Sequence, residues 1–153
     1  MDLLVIKFLA SVLIWLLFAG LIVLWFIDGK IKKEQVIHAL FASASAWLVA
    51  FFIKIFFPTL RPYLTDGQPV LTLTVPQDAS FPSQHTALAF ALAVTIFMHD
   101  RRVGWFYLIG AFAVGAARVL ANVHYPVDIV VGALIGTITA VIAEKVHLRK
   151  LLS

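Results

Sequence analysis

Arg118-Val119-Leu120-Ala121-Asn122-Val123-His124-Tyr125-Pro126-Val127-Asp128 joins the end of one long apolar segment to the start of another. It therefore sets a guanidinium, an imidazole and a carboxylate beside one membrane face. Proline lacks the N–H that a first helical residue leaves unused, so Pro126 fits the N1 position of a helix. Asp128 then falls in the first turn and His124 just outside it. A carboxylate there can accept the imidazole Nδ1–H, which fixes the tautomer and leaves Nε2 as a nucleophile or base. Arg118, roughly two turns back, brings a planar fork suited to phosphate or carboxylate. Taken alone, the stretch is equally well read as an arginine snorkelling to the interface beside a structural His–Asp cap.

Composition makes the surroundings a bilayer. The chain has 153 residues, 62% of them hydrophobic, and a mean hydropathy of +0.99, which excludes an ordinary soluble globule. One polytopic, all-α membrane helix bundle, a single domain over residues 1–153, is expected. The absence of cysteine excludes disulfides and thiolate metal sites. In a soluble protein the net charge of +4 would point to an acidic partner; in a membrane protein the distribution of charge matters more. The expected partner at this point is the bilayer, with no nucleic acid.

Five spans are expected, over about 3–27, 36–57, 84–98, 104–121 and 126–146. Leu3 to Ile27 is apolar except for Lys7 and long enough to cross about 30 Å of hydrocarbon; its length and the lack of a small-residue cleavage pattern favour a retained helix. A lysine-bearing turn at 28–34 leads to Val36–Phe57, where Ala42 to Ala46 are small enough for close helix approach. Pro58 ends that span. The 58–82 connection is the long hydrophilic one, of a length that is often functional, and its alternating Leu71-Thr72-Leu73-Thr74-Val75 fits a short strand or an extended segment. Gln84–Met98 is short for a span and is stopped by His99-Asp100-Arg101-Arg102. Gly132 and Gly136 form a helix-packing face on the last span.

Counting lysines and arginines in short loops orients the chain. Five spans put Lys30, Lys32, Lys33, Arg101, Arg102, Lys145, Arg149 and Lys150 on one side, which the positive-inside rule makes cytoplasmic together with the C-terminus. The opposite side keeps Lys7, Lys54, Arg61 and Arg118. There, Lys54 precedes Arg61-Pro62, followed by Pro82-Ser83-Gln84-His85, then Arg118, His124 and Asp128. Three cations beside two histidines repel one another unless an anion joins them, and a single Asp cannot neutralise them; phosphate would. Ser83 is a good N-cap, so backbone N–H groups and a positive helix end point to the same place, and His85 in the first turn can give a proton to a departing oxygen. Alone, Ser-x-His is an ordinary cap with an interfacial histidine, and Lys54 with Arg61 are two anchors at a helix end. His38, His99 and His147 are read as interfacial, and Trp15, Trp25, Trp47 and Trp105 as belt or packing residues.

Lys, six residues, Arg-Pro; Pro-Ser-x-His; and Arg, five residues, His, three residues, Asp: in that order the three motifs resemble those of the type 2 phosphatidic acid phosphatase superfamily of membrane lipid phosphatases. The match runs from Lys54 to Asp128. The resemblance implies that His124 attacks phosphorus to give a phosphohistidine, oriented by Asp128, and that His85 protonates the leaving oxygen and later activates water. It implies that Lys54, Arg61, Ser83, Gln84 and Arg118 bind the phosphate, with no metal and no other cofactor. Gln84 stands where the family commonly has Gly, and Ala117 where it commonly has Ser. With Val-His-Tyr-Pro-x-Asp, this looks more like the bacitracin-resistance type of undecaprenyl pyrophosphate phosphatase.

The expectation is therefore a lipid phosphatase of a bacterial-type cytoplasmic membrane, its site at the extracytoplasmic face, converting undecaprenyl diphosphate to the monophosphate. Phosphatidylglycerophosphate, phosphatidate and lipid A phosphatases are alternatives in the same class. An anion transporter, or a non-catalytic protein that binds lipid phosphate, are alternatives of other classes.

Overall fold

The computed structural model describes residues 2–26 and 33–152, with side chains as far as Val146. Most of the turn expected at 28–34, with Lys30 and Lys32, lies outside the described residues, as do the side chains of His147, Arg149 and Lys150. Seven helices and no strand are formed among the described residues: α1 (Leu3–Ser11), α2 (Leu13–Phe26), α3 (Lys33–Phe56), α4 (Pro62–Asp66), α5 (Gln84–His99), α6 (Arg101–Leu120) and α7 (Pro126–Leu152). The all-α membrane bundle is as expected. By length and composition α3, α6 and α7 can each cross a membrane, and α1 with α2 makes a fourth crossing if the bent pair is one span.

The first segment is not the single helix expected over 3–27. It breaks at Val12, where α1 and α2 meet at 51°. Neither proline nor glycine stands at the break; instead Arg118 Nη1 donates to Ala10 O at 3.1 Å and the Leu73 N–H donates to Ser11 Oγ at 3.0 Å. A side chain inserted into the backbone ladder is a recognised cause of a kink.

At 16 residues α5 is about 24 Å long, short of a hydrocarbon core of about 30 Å. Its place explains its composition. Ala87, Ala89, Ala91 and Ala93 are all fully buried, because α5 is the central helix against which α3, α6 and α7 pack. Ala42, Ala46 and Ala50 of α3 meet Ala87 and Ala91. On the α7 side a Cβ at Gly132 would stand 2.6 Å from Ser83 O, and one at Gly136 2.4 Å from Ala87 O. Only glycine permits that approach. Lipid tails are as apolar as leucine, so such close contact, rather than escape from water, holds helices together in a membrane.

The stop expected at His99–Arg102 is a one-residue hinge. The Asp100 side chain accepts from Arg102 N at 2.8 Å and Val103 N at 3.3 Å, an N-cap that starts α6 at Arg101. The helix thus begins three residues before the expected Gly104. His99 Nε2 lies 3.4 Å from Glu144 Oε2, so this histidine ties α5 to α7.

Residues 71–75 form no strand. Leu71 N bonds Ala121 O at 3.0 Å, and Thr72 Oγ1 bonds Thr74 O at 2.7 Å. The alternation reflects a segment laid against the bundle end, with Thr72 buried and Leu73 and Val75 exposed.

Candidate active site

α7 begins at Pro126, and the turn ahead of it is set by Asn122, in the left-handed region at φ 59°, which asparagine tolerates better than most residues. Its Nδ2 donates to Asp66 Oδ1 at 3.0 Å, tying the turn to the end of α4. His124 follows, almost fully buried, with Nδ1 3.2 Å from Asp128 Oδ2. The same oxygen accepts Tyr125 N–H at 2.9 Å and the Ser80 hydroxyl at 2.5 Å. With the Nδ1–H donated to Asp128 Oδ2, the lone pair of His124 is on Nε2. Burial pushes His124 down to about 4, against the Asp128 hydrogen bond and helped by the charges of Arg118, Arg61 and Lys54. The imidazole is therefore neutral at neutral pH, the form that can act as a nucleophile.

Arg61 stands on the open side of that ring. Nη1 lies 3.3 Å from His124 Nε2 and donates to Val123 O at 2.7 Å. Nε donates to Asp78 O at 2.8 Å, and Nη2 to Asp78 Oδ1 at 2.7 Å and Ala79 O at 3.2 Å. Four of the five N–H groups of a guanidinium are thus spent on oxygens, and the fifth points at Nε2. Lys54, in the last turn of α3, is buried rather than snorkelled; it pairs with Asp78 Oδ2 at 2.8 Å and bonds Ala79 O.

This corrects the charge count made from sequence. A second carboxylate, Asp78, bridges two of the three cations. Burial pushes Asp78 up, but its hydrogen bond and charge contacts with Lys54, then those with Arg61, outweigh this and hold it at about 2. Leaving either cation without a counter-charge would be costly at this depth.

Arg118 comes from the last turn of α6. Its Nη1 is held by Ala10 O, while Nε is buried without a partner. Gln84 Nε2 is likewise buried and unpartnered. Two buried donors without a protein partner suit an anionic acceptor such as a phosphoryl oxygen. Ser83 is fully buried, and its Oγ accepts from Thr86 N at 3.4 Å and Thr86 Oγ1 at 2.9 Å, so it caps α5 as expected. The Ser83 N–H is taken by Asp128 O at 3.1 Å, which fastens the start of α5 to the start of α7. His85, one residue into α5 and half-buried, lies within electrostatic range of Arg118, His124, Arg61 and Lys54.

The structure therefore brings Lys54, Arg61, Ser83, Gln84, His85, Arg118, His124 and Asp128 to one end of the bundle. Sequence reading missed Asp78 and Ser80, which sit in the irregular part of the 58–82 connection where no periodicity marks a residue as inward. An apolar cavity of about 420 Å³, lined by Phe41, Ser45, Ile142 and Val146 among others, lies between α3 and α7 toward the other end and includes none of these residues.

Residues 35–151 match the family model of the PAP2 superfamily. This chain belongs to the PAP2 superfamily. Among curated proteins it is 34% identical over 136 residues to the bacitracin transport permease protein BcrC of Bacillus licheniformis, covering 89% of this chain and 67% of that one. It is 30% identical over 115 residues to the undecaprenyl-diphosphatase BcrC of Bacillus subtilis, covering 75% and 58%. The chain thus spans about two thirds of the first and less of the second. Among solved structures, LpxE of Aquifex aeolicus matches with a TM-score of 0.74 at 31% identity, over 92% of this chain and 81% of that one. A PAP2 type phosphatidylglycerolphosphate phosphatase from Bacillus subtilis, at TM-score 0.65 and 22% identity over 90% and 68%, shares the fold. As a PAP2 member with these relatives the chain is an integral membrane protein of the lipid phosphatase class, as the motifs implied.

Proposed function

We propose that this PAP2 protein hydrolyses undecaprenyl diphosphate to undecaprenyl phosphate at the extracytoplasmic face of a bacterial cytoplasmic membrane, with five crossings and a cytoplasmic C-terminus. The observation that carries the chemistry is the pairing of His124 Nδ1 with Asp128 Oδ2 at 3.2 Å while Nε2 faces Arg61.

His124 Nε2 attacks the terminal phosphorus. A P–N bond forms as the bridging P–O bond breaks, and His85 gives its proton to the departing undecaprenyl phosphate oxygen. Asp128 stabilises the charge gained by the imidazole. Water, deprotonated by His85, then attacks the phosphohistidine; the P–N bond breaks and inorganic phosphate leaves. Arg118, Gln84 and the unspent N–H groups of Arg61 and Lys54 hold the phosphoryl oxygens, so that catalysis rests on positioning and on stabilising negative charge. The diphosphate is favoured as substrate by the name of the Bacillus subtilis relative. An apolar groove of about 260 Å³ that begins at Ile129, the residue after Asp128, and continues past Ala133 and Thr137 against Phe112 supports a lipid tail lying between spans.

The name of the Bacillus licheniformis relative favours a second reading, transport. Against it, the charged site residues gather at one bundle end and draw no path across. The test is phosphate release by purified, detergent-solubilised protein in EDTA, with undecaprenyl diphosphate, phosphatidate and phosphatidylglycerophosphate in parallel. Fastest release from the diphosphate is expected. Release from glycerolipids alone would overturn the substrate, and no release from any would overturn the enzyme reading.

A further inference from the structure

Ser80 is fully buried, lies outside all three motifs and touches neither cation. Its place is fixed from both sides. Ahead of it, Ala79 O is held by Lys54 and Arg61; the Ser80 N–H donates to Thr59 O at 2.9 Å, and behind it Phe81 N donates to Thr59 Oγ1 at 2.9 Å. The hydroxyl so held donates to Asp128 Oδ2 at 2.5 Å and stands 3.5 Å from His124 Nδ1. Ser80 and His124 therefore share one carboxylate oxygen.

We propose that Ser80 is a positioning residue of the PAP2 reaction: by donating to Asp128 Oδ2 it aims that oxygen at His124 Nδ1 and sets how strongly the carboxylate holds the imidazole. The proposal rests on the assignment of His124 as nucleophile. A hydrogen bond to a carboxylate spreads its charge, so Ser80 weakens the grip of Asp128 on a proton at His124. The other groups facing His124 are Arg61 ahead of α4, Lys54 of α3, Arg118 of α6 and His85 of α5, with Asp78 held between Lys54 and Arg61. None of these shares Oδ2. Removing the hydroxyl leaves them in place and has two effects: Oδ2, now shared only with the Tyr125 N–H, draws more strongly on a proton at His124, and the carboxylate loses the contact that aims it at Nδ1, which slows attack.

The test uses the full chain in detergent, labelled with ¹⁵N-histidine, with the His124 resonances assigned by their loss in His124→Gln. In Ser80→Ala the His124 titration midpoint should rise by on the order of one pH unit. With undecaprenyl diphosphate, kcat should fall about tenfold or more while KM changes less than about twofold, because Ser80 does not touch phosphate. A fall in kcat with an unmoved midpoint would overturn the proposal and leave Ser80 a packing residue. If Ser80→Ala does not fold, Ser80→Cys, similar in size and a weaker donor, is read the same way: a smaller upward shift supports the proposal and no shift overturns it. Loss of the nucleophile assignment would show separately, as turnover retained in His124→Gln, while the midpoint still reports on the Ser80 bond.

Discussion

Arg61 Nη1 lies 3.3 Å from His124 Nε2 while the same nitrogen donates to the backbone carbonyl of Val123 at 2.7 Å. The cation is thus anchored to the residue next to the imidazole it faces, and the two move as one. An incoming phosphoryl group entering between them meets a donor and a lone pair in fixed relation. Lysine cannot replace this fork. Arg61→Lys is expected to lose the Asp78 and Val123 contacts together and to lower kcat/KM at least about 100-fold, roughly 3 kcal/mol in transition-state stabilisation, as measured by phosphate release.

His124→Ala should abolish turnover, by about 10³-fold or more, since it removes the imidazole that Asp128 orients and the neighbouring Arg61 nitrogen is not a nucleophile. The variant should still elute as a folded species from size exclusion in detergent. Retained turnover would remove His124 from the role of nucleophile.

Asp78 bridges Lys54 and Arg61 at 2.8 and 2.7 Å. Asp78→Asn leaves two largely buried cations short of a counter-charge, so the melting temperature should fall. Inorganic phosphate should then stabilise the variant more than the native protein, because it supplies the missing charge. Thermal unfolding with and without phosphate measures both effects; equal stabilisation of the two proteins would show that phosphate does not reach the cations Asp78 compensates.

His124 is held at about 4, below the ordinary 6.5, so the unfolded chain takes up this proton first. Above pH 6.5 the residue has no effect on stability. As pH falls from 6.5 toward 4, the folded state should lose stability progressively, and below 4 the loss is complete. Chemical denaturation across that window, compared with His124→Gln, should show a steeper decline in the native protein.

Gly136→Ala would bring a Cβ within 2.4 Å of Ala87 O, and Gly132→Ala within 2.6 Å of Ser83 O. Both obstacles are backbone and cannot rotate away. Each substitution should cost about 1–3 kcal/mol, with Gly132→Ala also lowering turnover because Ser83 begins the α5 cap.

Much of this was legible in the amino-acid sequence because it follows from local rules. Pro126 starts α7, Ser83 caps α5, Gly132 and Gly136 face a helix, and the helix ends carry Lys54, Arg61, Arg118 and His124 to one place. What escaped was set by contacts distant in sequence. The break at Val12 is made by Arg118, more than a hundred residues away. Asp78 and Ser80 sit in irregular backbone whose course is fixed by Thr59, Lys54 and Arg61, and hydropathy carries no trace of it. The count of carboxylates at the site was therefore one short. The short apolar α5 read as a poor span, whereas its alanines mark it as the axis of the bundle.

The glycine contacts between α5 and α7 leave no room in the middle of the molecule for variation by size. A descendant of this chain that acquired a bulkier or differently shaped lipid could not widen the seam where Gly132 meets Ser83, since every larger residue there strikes main chain. Divergence in what is bound must instead accumulate on the outward faces of α6 and α7 and on α1 and α2. The spacing of the innermost pair of helices is fixed by main chain, and the periphery is where a lipid of another shape could be accommodated.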